Sequence, residues 1–442
     1  MNGGTKQTTN RRRLLTTLGG GTAALLAGCL GSGGQQSNGG STNVKFWTTQ
    51  TENERLKVIR DLVGSFEKNH DPTVKMTSVK ESDLPSQISS ARASSTLPSI
   101  GGFGLGQMQK LGSGGLLSKK AAKNVISAVG EDKFYDGALS LTQAPDGGHF
   151  AVPFHGWLQG FWYSKSVWEE HGLDAPNSWD SILAAAKALH KPDSNQYGIV
   201  VGTKKTPFAR QCFTPFARSN GARVFNENGD IVFDSDEMVE ALDFYSKLAQ
   251  YTPPGKDTWK TANNTYLNDQ CQFVQYSTYL MGDITKEGEK MVKDTAFTPS
   301  IEKQRKSSFG QIVTLSMLSS AGKKERKASQ EFAEYLMTGK QYLKWLHMAP
   351  GGMNPVLKPT AQNDAYKDNE TLKAWGNTVE DISAGFANIE RFGYVNGKSF
   401  PKLGDLTSQY LIAEAVSRVS GGEDPEKVAT QQAEKMREAV KE

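Results

Sequence analysis

The sequence has few of the residues that build metal and redox centres. Its 442 residues include three cysteines and six histidines, and these do not cluster at ligand spacing. It also lacks the Gly-x-Ser-x-Gly motif that carries the nucleophile of α/β-hydrolases. We therefore expect no metal site, no cofactor and no enzyme of these classes.

The chain also lacks a charge excess outside its first residues. It has 51 Lys and Arg against 47 Asp and Glu. Residues 1–28 hold four of the basic residues and no acidic one, so the rest of the chain carries 47 residues of each sign. No dense basic stripe with interleaved aromatic residues is present, which argues against a nucleic-acid partner.

The first 29 residues have the pattern of an export signal. Arg11, Arg12 and Arg13 precede an apolar stretch, residues 14–27, that is too short and too rich in glycine and threonine to span a bilayer comfortably. The Arg-Arg-x-Leu-Leu start resembles a twin-arginine signal. The Leu-Ala-Gly-Cys end resembles a lipobox, which implies that Cys29 becomes a lipidated first residue. The alternatives are a plain signal peptide or an uncut anchor.

A linker follows Cys29. Residues 30–42 are mostly Gly, Ser, Gln and Asn, which cannot bury enough apolar surface to offset the entropy of ordering. The sequence thus predicts a signal peptide at 1–28, a lipidated cysteine and tether at 29–42, and a folded body at the outer face of the cytoplasmic membrane.

The body alternates between strand and helix patterns, which is typical of an α/β fold. The pattern predicts strands at residues 43–49, 74–79, 151–154, 161–163, 197–201, 271–276 and 310–317. It predicts helices at residues 52–68, 84–93, 164–171, 181–189, 236–250, 327–338, 341–347, 405–421 and 425–440. About 400 residues are more than one core usually holds, so we expect two lobes.

An ordered set of short motifs resembles the carbohydrate class of extracellular solute-binding proteins, which serve ATP-driven (ABC) importers. The matches are residues 150–153 (FAVP), 161–165 (FWYSK), 172–176 (GLDAP) and 178–180 (SWD). The sequence departs from the family where it has Pro-Ser-Ile at 98–100 and Ser277-Thr-Tyr279. Those departures put the ligand contacts of these loops in doubt.

The resemblance implies a periplasmic-binding-protein-like fold. Two lobes, each a mainly parallel sheet flanked by helices, would be joined by hinge strands and close around a ligand. Residues 43–153 with 296–350 would form the N-terminal lobe, and residues 154–295 with 351–442 the C-terminal lobe. The implied partners are a sugar, the permease subunits of the importer and, through the lipid, the membrane. The receptor would be a monomer.

Ligands of open α/β sheets bind beyond the carboxyl ends of the strands. Loops at residues 48–52, 101–107, 155–159, 275–279 and 351–354 are therefore expected to line the cleft. Aromatic rings stack on the apolar faces of a sugar, and polar groups bond its hydroxyls. The candidate ligand-binding residues are Trp47, Gln50, Glu52, Phe103, Gln107, His155, Trp157, Gln159, Ser277, Tyr279, Gly351, Gly352 and Asn354.

Other residues are assigned to packing or to the surface. Cys212 and Cys271 either form a disulfide or remain two buried thiols. Arg391 could reach the cleft, but we assign it to a surface ion pair. Four tryptophans are assigned to the core: Trp162, Trp168, Trp179 and Trp345.

Two other functions compete with sugar binding. A glycosidase would need two carboxylates roughly 5–10 Å apart, and nothing in the sequence brings Glu52 and Asp283 together. The same fold could instead bind a polyamine, a phosphate ester or a metal. A polyamine needs several acidic residues in the cleft, whereas the candidate loops offer chiefly Glu52.

Overall fold

The computed structural model describes residues 42–255, 258–395 and 398–441. The predicted signal peptide, Cys29 and all but the last residue of the predicted tether lie outside the described residues. Residues Ser41–Glu442 form one compact unit. In the described part of the chain, no helix combines the length and the apolar character that crossing a membrane requires.

The described residues form an α/β fold, as predicted. The strands are β1 (Asn43–Thr48), β2 (Thr73–Ser78), β3 (Ile100–Gly104), β4 (Val152–Ser164), β5 (Phe273–Ser277), β6 (Thr295–Thr298), β7 (Ile301–Glu302), β8 (Lys306–Met317), β9 (Asn354–Pro355), β10 (Ile389–Glu390), β11 (Tyr394–Val395) and β12 (Lys398–Ser399). Helices follow most of them, which agrees with the alternation in the sequence.

The first helices are α1 (Asn53–Asn69), α2 (Leu84–Ala93), α3 (Leu105–Ser113), α4 (Lys119–Val129), α5 (Asp136–Ser140), α6 (Lys165–His171), α7 (Trp179–Leu189), α8 (Pro207–Ser219), α9 (Asp236–Ala249), α10 (Trp259–Leu267), α11 (Leu280–Glu287) and α12 (Glu289–Asp294). The later ones are α13 (Lys323–Leu336), α14 (Gly339–Leu346), α15 (Lys358–Ala361), α16 (Asp364–Lys367), α17 (Glu370–Trp375), α18 (Thr378–Gly385), α19 (Leu403–Ser408), α20 (Leu411–Ser420) and α21 (Pro425–Ala439). Short 3₁₀ turns occur at Glu81–Asp83, Glu131–Lys133, Pro192–Ser194 and Phe386–Asn388.

Local sequence explains several helix ends. The side chain of Ser178 accepts from the backbone of Ser181, and Ser181 bonds back to Ser178, so α7 starts with a capping box. Helix α6 ends at Gly172, whose φ of 60° is a left-handed conformation that glycine adopts without steric cost. The predicted helix over 405–421 is divided, because Tyr410 has φ 57° and ends the regular helical path between α19 and α20.

Two long strands hold the sheet together. The order along the sheet is β2-β1-β3-β8-β4-β5. The carboxyl end of β8 pairs with β3, whereas the carboxyl half of β4 pairs with β5 and β6. Strands β4 and β8 pair antiparallel with each other between these two regions. We call β2-β1-β3 with the end of β8 the first half-sheet, and β5 and β6 with the end of β4 the second half-sheet.

The sheet is mixed, which corrects the expectation of mainly parallel lobes. Strand β1 pairs in parallel with β2 and β3, but every other pair among the six ordered strands is antiparallel. The reason is that β4 and β8 cross between the half-sheets in opposite directions. The predicted strand at 197–201 is also wrong, since only isolated bridges at Tyr197 and Val200 connect that segment to its neighbours.

The predicted loop at 155–159 is part of β4, so Trp157 lies inside a strand and not outside one. Glycine is needed here because the neighbours are close. A Cβ atom on Gly156 would come within 2.7 Å of the backbone oxygen of Gln311, and one on Gly160 within 2.3 Å of that of Thr298. The two glycines therefore mark tight packing within a strand and not a turn.

Candidate functional site

A cavity of about 250 Å³ lies among β3, β8, the starts of α2 and α3, helices α8 and α19, and the segment after β10. One wall follows the carboxyl ends of β1 and β3 and consists of Thr49, Glu81, Leu84, Pro85, Gly104, Leu105, Gly106, Gln107 and Gln109. The opposite wall consists of Arg210, Gln311, Arg391, Phe392, Tyr394, Leu403, Gly404 and Thr407. We call this space the cleft.

The start of α3 forms part of the first wall. Gly104 ends β3 and directly precedes α3, and no side chain caps the free backbone N–H groups of the first turn. A Cβ atom on Gly104 would come within 2.7 Å of the side-chain nitrogen of Gln311, so glycine lets the helix start approach β8. The cleft therefore meets the positive end of the α3 dipole.

Two guanidinium groups form part of the opposite wall. Arg210 comes from α8, and Arg391 directly follows β10. One terminal nitrogen of Arg391 donates to the oxygen of Gly310 over 2.7 Å and to the side-chain oxygen of Gln311 over 2.9 Å. The guanidinium lies 4.5 Å from the ring centre of Phe309. Among the described residues, neither arginine has an ion pair with a carboxylate.

The surface ion pair predicted for Arg391 is therefore wrong. The neighbouring Glu390 bonds instead to Arg218, over 3.2 Å, and to Arg305. Burial and, to a smaller extent, the charge of Arg210 lower the pKa of Arg391 to about 9. Burial likewise lowers the pKa of Arg210 to about 10. Both shifts indicate positive charges that the protein itself compensates poorly.

A second group of polar residues lies near Glu81. Burial raises the pKa of the Tyr279 hydroxyl, and the charges of Arg55, Glu52 and Glu81 act on the same group. The side-chain oxygen of Gln50 accepts from Arg55 over 3.1 Å. The structure thus brings together three residues that the sequence nominated, namely Gln50, Glu52 and Tyr279.

Glycines 351 and 352 pack beside that group. A Cβ atom on Gly352 would come within 2.2 Å of the Tyr279 ring, and Gly351 has φ 76°. Asn354 holds this turn, because its amide donates to the oxygen of Gly351 over 2.6 Å and to the hydroxyl of Thr278 over 3.2 Å. These contacts explain why small residues and an amide stand at these positions.

Of the thirteen nominated residues, Gln107 lines the cleft directly. Trp47, Trp157 and Ser277 are partly exposed on β1, β4 and β5. Trp157 pairs across the ladder with Gln311, a cleft residue, and its ring centre lies 6.0 Å from that of Phe309. Their role in ligand binding stays a prediction.

Four nominated residues are almost fully buried: Phe103, His155, Gln159 and Asn354. Both ring nitrogens of His155 are buried without a hydrogen bond among the described residues, and the ring contacts Phe154 and Trp345. Burial lowers the pKa of His155 to about 3, with a smaller contribution from the charge of Arg55. None of the four lines the cleft, so their assignment to ligand binding also stays a prediction.

The two cysteines of the body are free thiols, so the disulfide hypothesis is wrong. The thiol sulfur of Cys212 accepts from the amide of Gln159 over 3.1 Å, and the thiol of Cys271 donates to the oxygen of Phe273 over 2.9 Å. Burial raises the pKa of each thiol to about 12. Within the described residues no group of His, Cys, Asp and Glu could hold a metal ion.

The core assignments are confirmed. The four tryptophans assigned to packing, Trp162, Trp168, Trp179 and Trp345, are at most 4% exposed. Sequence reasoning missed Arg210, because helix α8 carries an internal proline, Pro215, that hides its helical pattern. It also missed Trp259, which is 44% exposed and donates to Gln211 beside Arg210.

Comparisons with known proteins agree with this geometry. Residues 61–374 match the model of a family described as bacterial extracellular solute-binding protein. The chain is 31% identical over 393 residues to a putative ABC transporter periplasmic-binding protein, YcjN, of Escherichia coli K12, covering 88% of this chain and 91% of that protein. It is 26% identical over 228 residues to a mannitol-binding protein of Pseudomonas aeruginosa, covering 49% of this chain and 52% of that protein.

The fold is also found among solved structures. The sugar-binding protein MalE of Xanthomonas citri superposes with a TM-score of 0.75 at 16% identity, covering 90% of this chain and 97% of that one. At this identity the likeness concerns the fold alone. The two-lobe α/β fold that the sequence predicted is thereby confirmed.

Proposed function

Because the chain belongs to the bacterial extracellular solute-binding protein family, we propose that it is a lipid-anchored receptor that binds a sugar in the cleft and delivers it to the permease of an ABC importer. Proteins of this family are exported and bind solutes; they are not enzymes. One observation carries the proposal: the cleft is lined both by segments next to the first half-sheet, such as the start of α3, and by α8 and the segment after β10, while the long strands β4 and β8 join the two half-sheets. Such an arrangement suits hinge closure around a ligand.

The lobes are proposed to be residues 43–153 with 296–350, and residues 154–295 with 351–442, in a monomeric receptor. The cleft lies between these ranges, since Glu81 and Gln107 belong to the first lobe and Arg210 and Arg391 to the second. A space of about 250 Å³ is slightly below the roughly 300–1,000 Å³ of pockets for drug-sized ligands. We therefore favour a ligand of one or two sugar units.

Aromatic rings near the cleft support a sugar as the ligand. Trp259 and Tyr410 are the large apolar side chains most exposed in the described residues, at 44% and 42%. Tyr410 lines a small pocket together with the cleft residues Arg210 and Thr407, and Trp259 bonds Gln211, the residue after Arg210 in the sequence. With the partly exposed Trp157, they offer flat apolar faces on which a sugar ring can stack.

A binding panel tests this function. Titration calorimetry of the full chain with mono-, di- and oligosaccharides should find saturable binding with a single ligand class. Replacing Trp157 by Ala should weaken that binding by about 2 kcal/mol, roughly thirtyfold, as loss of a stacking aromatic does.

The matched control for that variant is Trp179→Ala. Trp179 is buried, its ring nitrogen donates to Ser219 over 2.9 Å, and Lys303 lies 4.1 Å from its ring centre. Its loss should lower the melting temperature with a smaller effect on affinity. If Trp157→Ala binds like the wild type and melts much lower, Trp157 is a packing residue and its assignment to the cleft fails.

The lipid anchor is tested at Cys29, which the lipobox resemblance nominates. Two acyl chains anchor a protein stably, whereas one anchors it only marginally. The Cys29→Ala variant should leave the membrane fraction and appear in the soluble fraction or the medium. Unchanged membrane association on cell fractionation would contradict the anchor and leave the proposed ligand binding untouched.

A further inference from the structure

The cleft carries two positive charges that form no ion pair with a carboxylate of the described residues. Arg210 lies close enough to Arg391 that its charge helps to lower the pKa of Arg391, yet neither arginine forms an ion pair with a carboxylate there. A guanidinium has five N–H donors and stays charged in proteins. The two bonds that Arg391 makes to Gly310 and Gln311 use one of its nitrogens, so donors remain for a ligand.

The free-energy cost of placing these two charges in the cleft is reflected in the lowered pKa values of both arginines. Burial is the largest cause of the lowered pKa of both arginines. An arginine does not relieve that cost by losing its proton at physiological pH, because its pKa stays far above 7. The remaining way to relieve it is an anion that accepts hydrogen bonds from both guanidinium groups.

Two further donors converge on the same space. The first turn of α3 adds its uncapped N–H groups, which attract negative charge. Gln109, only 5% exposed, lines the cleft, and its side-chain nitrogen makes no hydrogen bond of good geometry among the described residues, although it lies beside the Tyr394 hydroxyl. Glu81 is the one carboxylate among the described residues that line the cleft. Together with Arg210 and Arg391, it leaves the cleft with a net positive charge.

We propose that the ligand is an acidic sugar derivative, and that Arg210 and Arg391 bind its carboxylate or phosphate group. This inference rests on the proposed function and names the ligand class within it. A neutral sugar would bring hydroxyls to the cleft and leave both arginine charges unpaired. An acidic group instead accepts charge-assisted hydrogen bonds from the planar guanidinium groups, and the α3 N–H groups and Gln109 complete its surroundings.

Matched ligands test the charge separately from the sugar. Titration calorimetry of the full chain compares glucose with glucuronate and glucose 6-phosphate, and glycerol with glycerate and glycerol 3-phosphate. The acidic member of a pair should bind at least tenfold more tightly than the neutral one, and added NaCl should weaken the acidic member selectively. Comparing the affinity for glucuronate with that for glucose 6-phosphate, and for glycerate with that for glycerol 3-phosphate, shows whether the site prefers a carboxylate or a phosphate.

Variants assign the effect to the two arginines. Arg210→Gln and Arg391→Gln should each abolish the preference for the acidic member. Arg223→Gln removes a guanidinium that does not line the cleft and should retain the preference. Arg391 also bonds the backbone of β8, and the Gln variant loses that bond. If Arg391→Gln unfolds for this reason, the Arg391→Lys variant is used to test the position instead.

The outcomes separate this inference from the function on which it rests. If neutral sugars bind as tightly as their acidic counterparts, or if Arg210→Gln keeps the preference, the inference is overturned and the sugar receptor stands. If no neutral or acidic sugar in the panel binds at all, both fail.

Discussion

The chain contains two clusters of arginine that share one helix and are built in opposite ways. In the first, Arg218 on α8 and Arg305 both donate to Glu390, and Arg218 also bonds the oxygen of Ala222 over 2.9 Å. In the second, Arg210, eight residues earlier on α8, lies near Arg391, and neither forms an ion pair with a carboxylate of the described residues. We call them the paired cluster and the unpaired cluster.

The Glu390 carboxylate distinguishes the roles of the two clusters. Burial lowers the pKa of Arg218, and the Glu390 carboxylate opposes that shift. A buried charge with its partner in place holds the fold together, and removing the partner is costly. The unpaired cluster lines a cleft, where an outside anion can supply the missing charge. The two clusters therefore predict opposite effects of substitution on stability and on binding.

The largest effect is expected in the paired cluster. Glu390→Ala leaves Arg218 and Arg305 without their shared carboxylate, and should lower the free energy of unfolding by about 3 kcal/mol. We expect the low end of the usual range because Glu390 is 23% exposed. Urea unfolding followed by circular dichroism measures it. A loss below about 0.5 kcal/mol would show that Glu390 behaves as an ordinary surface carboxylate.

His155 shows a second way to manage a buried basic group, which is to lose the proton. Its pKa falls to about 3 in the folded chain, against an ordinary value near 6.5. The unfolded chain therefore binds an extra proton between pH 6.5 and 3, so this contribution to stability is complete above pH 6.5 and is lost as the pH falls. From pH 7 to pH 5 the loss is about 2 kcal/mol.

The His155→Phe variant should lack that loss. Its free energy of unfolding should fall by about 2 kcal/mol less than that of the wild type between pH 7 and pH 5, because phenylalanine takes up no proton. Urea unfolding at both pH values measures the difference, and the exposed His171→Gln is the matched control. Equal pH dependence in His155→Phe and the wild type would mean that His155 is not buried as a neutral ring.

Some features of the fold could be predicted from the sequence alone, and others could not. It predicted α2 at its observed residues and the burial of four tryptophans, because these depend on local patterns. It did not predict that β4 continues through Gly156 and Gly160. Glycine usually signals a turn, and only the third dimension reveals the backbone that lies against these two residues.

The partners of the arginines could not be predicted from the sequence for the same reason. Glu390 and Arg391 are adjacent in the sequence, yet their side chains contact different partners. Arg218 and Arg305 are far from Glu390 along the chain and take its carboxylate. Sequence patterns report local spacing, whereas the pairing of charges depends on which distant elements the fold brings together.

The smallest effect on the free energy of unfolding is expected for Arg210→Met, which directly tests the difference between the two clusters. Methionine keeps much of the volume of arginine and removes a charge that has no carboxylate partner among the described residues, so replacement should be neutral or slightly stabilising. We expect the free energy of unfolding without added ligand to change by less than about 0.5 kcal/mol.

Arg218→Met is the matched control for that variant, since it removes the same side chain from the same helix. It takes away a 5% exposed arginine bonded to Glu390 and Ala222, and should lower the free energy of unfolding by about 2 kcal/mol or more. Urea unfolding of both variants in one buffer decides the question. If Arg210→Met is destabilised as much as Arg218→Met, then Arg210 is a structural residue. In that case the two clusters do not differ in function, and the unpaired cluster stabilises the fold as the paired cluster does.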